Sequence, residues 1–204
     1  MSRRIGVLIS GRGSNLQAII DATRDGRLDA QIALVVSNRA DAYGLERARQ
    51  AGIETLVRDH TAHASREAYE AVLVDDLRAG GVQLVCLAGF MRLLGATFVD
   101  AFPTRILNIH PALLPAFPGL HAQRQALEHG VKVTGATVHF VDTSLDAGPI
   151  VLQAAVPVLD ADTEDTLSAR ILEQEHRLYP EAIQRILDGA WRIDGRRVMF
   201  DSRG

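Results

Sequence analysis

The stretch Arg105–Pro111, RILNIHP, lies midway along the 204-residue chain and has the pattern of a β-strand. Leu107 and Ile109 would point to one face and Asn108 and His110 to the other, because side chains alternate along a strand. The two polar residues would then have Cα atoms roughly 6.5 Å apart, and both could reach one carbonyl oxygen. The closing proline favours an extended backbone before it and prevents a helix from continuing the strand. Taken alone, the pattern fits a solvated edge strand equally well.

The residues before this strand alternate between apolar runs and amphipathic segments. Strands are predicted at Ile5–Ile9, Gln31–Ser37, Glu54–Val57 and Leu84–Leu87. Helices are predicted at Leu16–Thr23, at Tyr43–Gln50, and from a Ser65 cap to about Ala79. Strands separated by helices of this length indicate right-handed βαβ units, and uniformly apolar strands suit a sheet covered on both faces. The pattern predicts an α/β, Rossmann-like fold with an open, mainly parallel twisted sheet and helices on both faces.

The residues after the central strand follow a different pattern. Helices are predicted at about His121–Glu128 and Thr163–Tyr179, with Pro180 as a kink before the second helix resumes to Leu187. Strands are predicted near Val133–Val141 and Ile150–Val158, and a terminal hairpin at Trp191–Asp194 and Arg197–Phe200. Since no linker or repeat interrupts the chain, we expect one domain over 1–204, with halves of about 1–100 and 101–204.

The composition is that of an ordinary globular protein, with 47 % hydrophobic and 23 % charged residues. A formal charge of −3 gives no general attraction for nucleic acid or anionic membranes, and no apolar run is long enough for a membrane span. The N-terminus does not have the pattern of a signal peptide. The single cysteine, Cys86, lies in an apolar run and is expected to be a buried hydrophobe rather than a nucleophile. These features predict a cytoplasmic protein without nucleic-acid or membrane partners.

The loop Ser10–Asn15, SGRGSN, joins a predicted strand to a predicted helix. Such a junction favours an anion, and Gly11 and Gly13 allow it to approach the backbone closely. A dinucleotide site would need a third glycine where Leu16 stands, and a Walker loop would need a Gly-Lys-Ser/Thr sequence. Ser14 does not fit an esterase nucleophile, because the Gly-x-Ser-x-Gly elbow is incomplete. A site for one phosphate and a plain tight turn both remain possible readings.

Seven histidines raise the question of a metal site. His60 and His63 lie in a polar loop, and neither they nor the wider set has a recognised zinc spacing. We therefore expect no metal.

Asp146 lies in a loop that ends in Ala147-Gly148-Pro149, which favours a turn of fixed shape. A carboxylate beside an imidazole raises the imidazole pKa and orients the ring, which makes the ring a better proton donor near neutral pH. The alternative is that Asp146 only caps its own turn.

These motifs together resemble the phosphoribosylglycinamide (GAR) formyltransferase family, the folate-dependent enzymes of purine synthesis. The Asn–His–Asp set is common to several formyl-folate enzymes, whereas its combination with the Ser-Gly-x-Gly-Ser-Asn loop is far more specific. The similarity runs almost from end to end. Its matching stretches are Val7–Gln17, Leu87–Arg92, Leu107–Pro111, Leu113–Pro115, Pro118–Gly119, Val138–Val141, Asp146–Ile150, Gln174–His176 and Tyr179–Pro180.

The resemblance implies a formyltransferase fold and a role for each group of residues. It assigns the substrate phosphate to Gly13, Ser14 and Asn15, and the ribose hydroxyls to Glu175. The catalytic residues would be Asn108, His110 and Asp146. The donor, 10-formyltetrahydrofolate, would contact Arg66, Met91, Arg92, Leu93, Leu94, Asn108, Val141, Asp142, Thr143, Ser144, Leu145 and Asp146.

The implied reaction is direct formyl transfer to the glycinamide amine, with Asn108 and protonated His110 stabilising the oxyanion. The rival interpretations are a formyltetrahydrofolate hydrolase and a non-catalytic nucleotide-binding protein. Hydrolases of this kind usually carry a further N-terminal domain, and transfer to methionyl-tRNA requires a C-terminal RNA-binding domain. Neither is expected in this chain.

Some positions depart from the family pattern. Ala116 and Phe117 replace a basic residue and a tyrosine, Leu172 replaces a polar residue, and the C-terminal tail is short. The proline-rich exit from the central strand also suggests a cis Leu114–Pro115 bond. A monomer and a homodimer are both compatible with the sequence.

Overall fold

The computed structural model describes residues 3–201, and the chain forms two compact units that divide between Asn108 and Ile109. The last strand of the first unit, β5, runs over Ile106–His110, so that its final two residues belong to the second unit. No helix among the described residues combines the length and apolar character that a membrane span requires.

The first unit contains a parallel sheet with the strand order β3-β2-β1-β4-β5. Its other strands are β1 (Arg4–Ile9), β2 (Gln31–Ser37), β3 (Thr55–Val57) and β4 (Leu84–Leu87). Its helices are α1 (Ser14–Arg24), α2 (Tyr43–Gln50), α3 (Arg66–Ala79) and the short α4 (Ala96–Val99), with a 3₁₀ turn at His60–Ala62. The predicted α/β pattern with a parallel sheet is confirmed here.

The strand order explains why helices cover both faces of this sheet. The chain moves outward from β1 to β3 and then returns to β4 and β5 on the other side of β1. Because right-handed crossovers reverse face when the direction of travel reverses, α1 and α2 lie on one face and α3 and α4 on the other. In agreement, α1 packs on α2 and α3 packs on α4. Strands β1, β2 and β4 are almost wholly buried, the edge strand β3 is partly exposed, and Cys86 in β4 is fully buried, as expected.

Helix α3 begins where its cap was predicted. The Ser65 side chain accepts a hydrogen bond from the Ala68 backbone N–H at 3.1 Å, which satisfies one of the unpaired donors of the first turn. The helix presents Tyr69, Leu73 and Leu77 to the core. Its N-terminal turn is thereby fixed relative to the sheet. Arg66 and Glu70 lie in the first two turns and are fixed with it.

The second unit has two helices and four further strands. The strands are β6 (Val133–Phe140), β7 (Ile150–Pro157), β8 (Trp191–Asp194) and β9 (Arg197–Phe200), and the helices are α5 (Ala122–Glu128) and α6 (Glu164–Leu187). The pairs β6/β7 and β8/β9 are antiparallel, and β7 meets β9 in parallel. The terminal hairpin is thus present as predicted. Helix α6 packs on β6 and β7 and remains helical through Pro180, where the sequence suggested an interruption.

Candidate active site

The second unit brings His110 and Asp146 together. His110 ends β5 and is only 4 % exposed, while Asp146 lies in the loop between β6 and β7. Nδ1 of His110 is 3.4 Å from Oδ2 of Asp146. The same oxygen accepts a hydrogen bond from the Gly119 backbone N–H at 2.8 Å. Asp146 therefore does more than cap its own turn, which settles the choice left open by the sequence.

Both ring nitrogens of His110 face oxygen acceptors. Nε2 lies 2.8 Å from the carbonyl oxygen of Phe117, and since a carbonyl only accepts, Nε2 must carry a hydrogen. Nδ1 faces the Asp146 carboxylate, which also accepts when ionised. The His110 ring is thus held between a backbone carbonyl oxygen and a buried carboxylate.

His139 on β6 is a second imidazole beside the same carboxylate. Its Nε2 lies 3.7 Å from Oδ1 of Asp146, and its Nδ1 lies 2.8 Å from the Phe140 carbonyl oxygen. Burial lowers the pKa of His139 below its ordinary value of 6.5, outweighing the Phe140 hydrogen bond and the Asp146 charge. Asp146 therefore lies between two buried imidazoles, and burial lowers the pKa of one of them, His139.

The stability of the protein should depend on pH through His139. Because its pKa is lower in the folded state, the unfolded state binds more protons below about pH 6.5. The contribution of His139 to stability is therefore complete above that pH and is lost as the pH falls toward the folded-state pKa. We expect unfolding midpoints to drop between pH 7.5 and 5.5, and the drop to be smaller in His139→Gln. His121→Gln, at an exposed histidine, is the control and should show the wild-type drop. If the unfolding midpoint of His139→Gln falls with pH as much as that of wild type, the prediction is contradicted.

The loop that carries Asp146 is fixed at its end by backbone contacts. A Cβ on Gly148 would lie 1.9 Å from the Phe140 carbonyl oxygen, so only glycine allows the chain to pass there. The Phe140 N–H donates to the Pro149 oxygen at 2.9 Å, and the Arg196 guanidinium donates to the Ala147 oxygen at 2.6 Å. Asp146 itself has a φ of 47°, a left-handed conformation that aspartate tolerates better than most residues. The predicted fixed turn is confirmed.

The loop after His110 is held by two polar side chains of the β6/β7 hairpin. Thr137 accepts from the Leu114 N–H at 3.1 Å and donates to the Ala112 oxygen at 2.6 Å. Gln153 donates to the Leu114 oxygen and to the Thr137 hydroxyl, both at 2.9 Å. The Leu114–Pro115 bond in this loop is cis, as predicted. These contacts fix the start of the loop whose Phe117 carbonyl contacts His110.

In the first unit, the Ser10–Asn15 loop leads from β1 into α1. Gly13 caps α1 in a left-handed conformation with a φ of 69°, no side chain caps the helix, and its first turn has no acidic residue. No carboxylate of that turn would therefore repel an anion at this helix N-terminus, where the helix dipole favours negative charge. Helix α2 supports the loop, because the Gly44 N–H donates to the Gly11 oxygen and the Arg47 guanidinium to the Arg12 oxygen, both at 3.0 Å.

Gly13 should tolerate substitution less well than another left-handed glycine of the same unit. A Cβ on Gly13 would lie 2.6 Å from the Gly44 Cα, whereas one on Gly26, with a φ of 81°, would meet nothing within 4 Å. We expect Gly26→Ala to cost only the left-handed backbone penalty, roughly 1–2 kcal/mol. Gly13→Ala should cost more, since α2 must also shift. Urea unfolding of both variants measures this, and equal losses would contradict the close approach.

The remaining residues proposed from the sequence occupy defined positions in their units. Arg66 is the first residue of α3, and Met91–Leu94 follow β4. Val141–Asp146 follow β6, with the Asp142 side chain accepting from the Ser144 N–H at 2.8 Å. Glu175 is a buried carboxylate in α6, and Asn108 lies in β5. Residues 3–201 contain no group of three or more His, Cys, Asp or Glu side chains arranged to hold a metal.

Sequence reasoning missed three contributors to the site. The Phe117 carbonyl and the Gly119 N–H are backbone groups, which no side-chain motif can reveal. His139 lies in the matching stretch Val138–Val141, but the resemblance assigned it no role. Its position near the end of a strand that leads directly into the Asp146 loop was the signal that could have identified it.

Comparison with known proteins identifies the family to which this fold and this site belong. The family model described as formyl transferase matches residues 3–183, and the chain belongs to this family. Among solved structures, glycinamide ribonucleotide transformylase 1 from Symbiobacterium toebii superposes with a TM-score of 0.96 and 62 % identity. The match covers 98 % of this chain and 94 % of that one. The predicted formyltransferase fold is confirmed.

The curated relatives point to one member of the family. The chain is 50 % identical to phosphoribosylglycinamide formyltransferase of Escherichia coli over 202 residues, which is 95 % of each protein. It is also 54 % identical to the trifunctional purine biosynthetic protein adenosine-3 of Drosophila melanogaster over 92 % of its own length. The chain spans only 14 % of the length of that larger relative.

Proposed function

We propose that this chain transfers the formyl group of 10-formyltetrahydrofolate to the amine of glycinamide ribonucleotide in purine biosynthesis. The products are N-formylglycinamide ribonucleotide and tetrahydrofolate. The observation that carries the proposal is the buried His110–Asp146 pair, at 3.4 Å, in a chain that matches the Escherichia coli enzyme over 95 % of both lengths. Both substrates are small molecules, and the folate is a co-substrate rather than a resident cofactor.

The chemistry requires stabilisation of an oxyanion. The neutral amine attacks the formyl carbon, a C–N bond forms, and negative charge develops on the formyl oxygen. The C–N bond to the folate then breaks, and the proton lost by the amine passes to the departing folate nitrogen. Donors that are already oriented stabilise such charge best, because they need not reorganise during the reaction. We assign this role to the side-chain N–H of Asn108 and to the ring of His110.

Asp146 supports His110 in this scheme by facing Nδ1 with a negative charge and fixing the ring orientation. In the structure Nε2 of His110 donates to the Phe117 oxygen. When the donor binds, the formyl oxygen would replace the Phe117 oxygen as the partner of Nε2, so that the ring would be oriented before charge develops. A covalent enzyme intermediate is not needed, so the scheme uses no activated serine or cysteine.

We assign substrate binding to two sets of residues. Gly13, Ser14 and Asn15, at the N-terminal turn of α1, would hold the phosphate, and Glu175 would accept from the ribose hydroxyls. The folate would contact Arg66, the segment Met91–Leu94, Asn108 and the loop Val141–Asp146.

The test is to incubate the protein with 10-formyltetrahydrofolate, with and without glycinamide ribonucleotide, and to follow tetrahydrofolate release. Release that depends on the nucleotide supports the proposal. Release without the nucleotide would identify a hydrolase, and no release in either case would identify a nucleotide-binding protein without catalysis.

A further inference from the structure

The segment after β4 exposes apolar side chains to solvent. We call residues 91–94 (Met91, Arg92, Leu93 and Leu94) the donor segment, because the proposed function assigns them to the folate. Met91 is 64 % exposed and Leu93 66 % exposed. The segment belongs to no helix or strand. Its conformation must therefore be set by contacts at its two ends.

A buried serine holds the beginning of the donor segment. The Ser10 hydroxyl accepts from the Met91 N–H at 2.8 Å and donates to Oδ1 of Asn38 at 2.6 Å. The Ser10 N–H also donates to the Gly89 oxygen at 3.1 Å. Ser10 and Asn38 are both buried. The start of the segment is thus fixed to the ends of β1 and β2.

A buried carboxylate holds the end of the donor segment. Glu70, on the second turn of α3, is only 1 % exposed, and its Oε1 accepts from the Gly95 N–H at 2.6 Å. Its Oε2 is buried without a hydrogen-bond partner among the described residues. A buried carboxylate with one oxygen unsatisfied is costly. The hydrogen bond that this carboxylate does make holds the N–H of Gly95, the residue directly after Leu94.

The same carboxylate lies beside a cation assigned to the folate. Nε of Arg66 is 3.7 Å from Oε1 of Glu70, one helical turn away. The Arg66 guanidinium also lies against Gly95, where an added Cβ would come within 3.0–3.2 Å of it. Glu70 is thus in contact with both Arg66 and the end of the donor segment.

We propose that Glu70 is a positioning residue for the formyl donor, holding the end of the donor segment and the Arg66 guanidinium in one arrangement. This inference rests on the proposed function. Glu70 does not touch the reacting atoms. Its contribution is to donor affinity, because a segment whose end is loose must be ordered when the donor binds, and ordering lowers affinity. Binding of the nucleotide and the rate of the bound complex should not depend on it.

The test measures steady-state kinetics for Glu70→Ala and Glu70→Gln. In Glu70→Ala, the KM for 10-formyltetrahydrofolate should rise by about tenfold or more, the factor for losing one hydrogen bond to a charged group. The kcat at saturating donor and the KM for the nucleotide should stay within about twofold of wild type. Glu70→Gln retains an acceptor for the Gly95 N–H and should recover most of the donor affinity.

Asp76→Asn is the matched control on the same helix. Asp76 forms a two-point ion pair with Arg58, with contacts of 2.7 and 2.9 Å, two to three helical turns away from Arg66. Loss of the Asp76 charge should lower stability without changing the donor KM. Gly95→Ala is a second variant with an ordinary backbone φ of −92°, in which the three atoms nearest the new methyl group all belong to the guanidinium of Arg66. It should raise the donor KM with little loss of stability, even if Glu70→Ala does not fold.

The inference is overturned if Glu70→Ala is destabilised like Asp76→Asn while its donor KM is unchanged. An unchanged donor KM in Gly95→Ala would overturn it as well. Failure of the proposed function has a different signature, because wild-type protein would then show no nucleotide-dependent folate release.

Discussion

Replacing His110 by alanine will lower kcat by roughly 10²–10⁴-fold, the range for a positioned acid–base group. The ring is buried, faces the Asp146 carboxylate at 3.4 Å and donates through Nε2 to a carbonyl oxygen. His139 also faces Asp146, but at 3.7 Å. Rapid-quench measurement of formyl transfer at saturating concentrations of both substrates reports the loss directly.

The control for His110→Ala is His129→Ala. His129 is exposed and its ring packs on that of Phe117, with the centroids 5.3 Å apart, so this variant separates a loss of packing in the Phe117 loop from loss of the His110 ring. Because His110 acts on charge that develops in the transition state, the dissociation constants of both substrates should change little. A near-normal kcat in His110→Ala would show that another group stabilises the oxyanion.

Replacing Asp146 by asparagine will lower kcat by roughly 10²-fold or more. Asparagine keeps the size of the side chain and can still accept from the Gly119 N–H. It removes the negative charge that faces Nδ1 of His110 at 3.4 Å and helps to orient the ring. The same transfer assay measures the loss, and a circular dichroism spectrum like that of wild type excludes unfolding.

Asp160→Asn is the matched control for Asp146→Asn. Asp160 lies in the same unit and is exposed. It forms an ion pair with Lys132 at the end of the β6/β7 hairpin opposite the Asp146 loop. Its replacement changes the net charge by the same amount. Equal kcat values for the two variants would mean that the effect of Asp146 is a general charge effect rather than an interaction with His110.

Much of the fold follows from the alternation of apolar runs. The four strands before residue 90 and helices α1–α3 lie within a few residues of their predicted bounds, because the strands are short apolar runs and the helices bury one stripe of an amphipathic segment. The 3₁₀ turn at His60–Ala62 and helix α4 were not predicted, since three or four residues are too few to show a period. Helix α6 extends to Leu187 as predicted and is continuous through Pro180.

The site was predictable where side chains carry it. The spacing of Asn108 and His110 and the Ala-Gly-Pro turn after Asp146 indicated these three residues as candidates for the site. The structure brings His110 and Asp146 into contact. The parts made of backbone were not predictable, because the Phe117 carbonyl and the Gly119 N–H depend on how one loop folds. The role of Glu70 was also hidden, since an acidic residue on an amphipathic helix is usually exposed.

The most direct test of formyl transfer by this chain is to follow the formyl carbon itself. The protein is supplied with 10-formyltetrahydrofolate carrying ¹³C in the formyl group, together with glycinamide ribonucleotide, and the products are identified by mass spectrometry and NMR. The account requires the label to appear in the new amide of N-formylglycinamide ribonucleotide, one label for each tetrahydrofolate released. Recovery of the label as free formate, with the nucleotide unchanged, would contradict it.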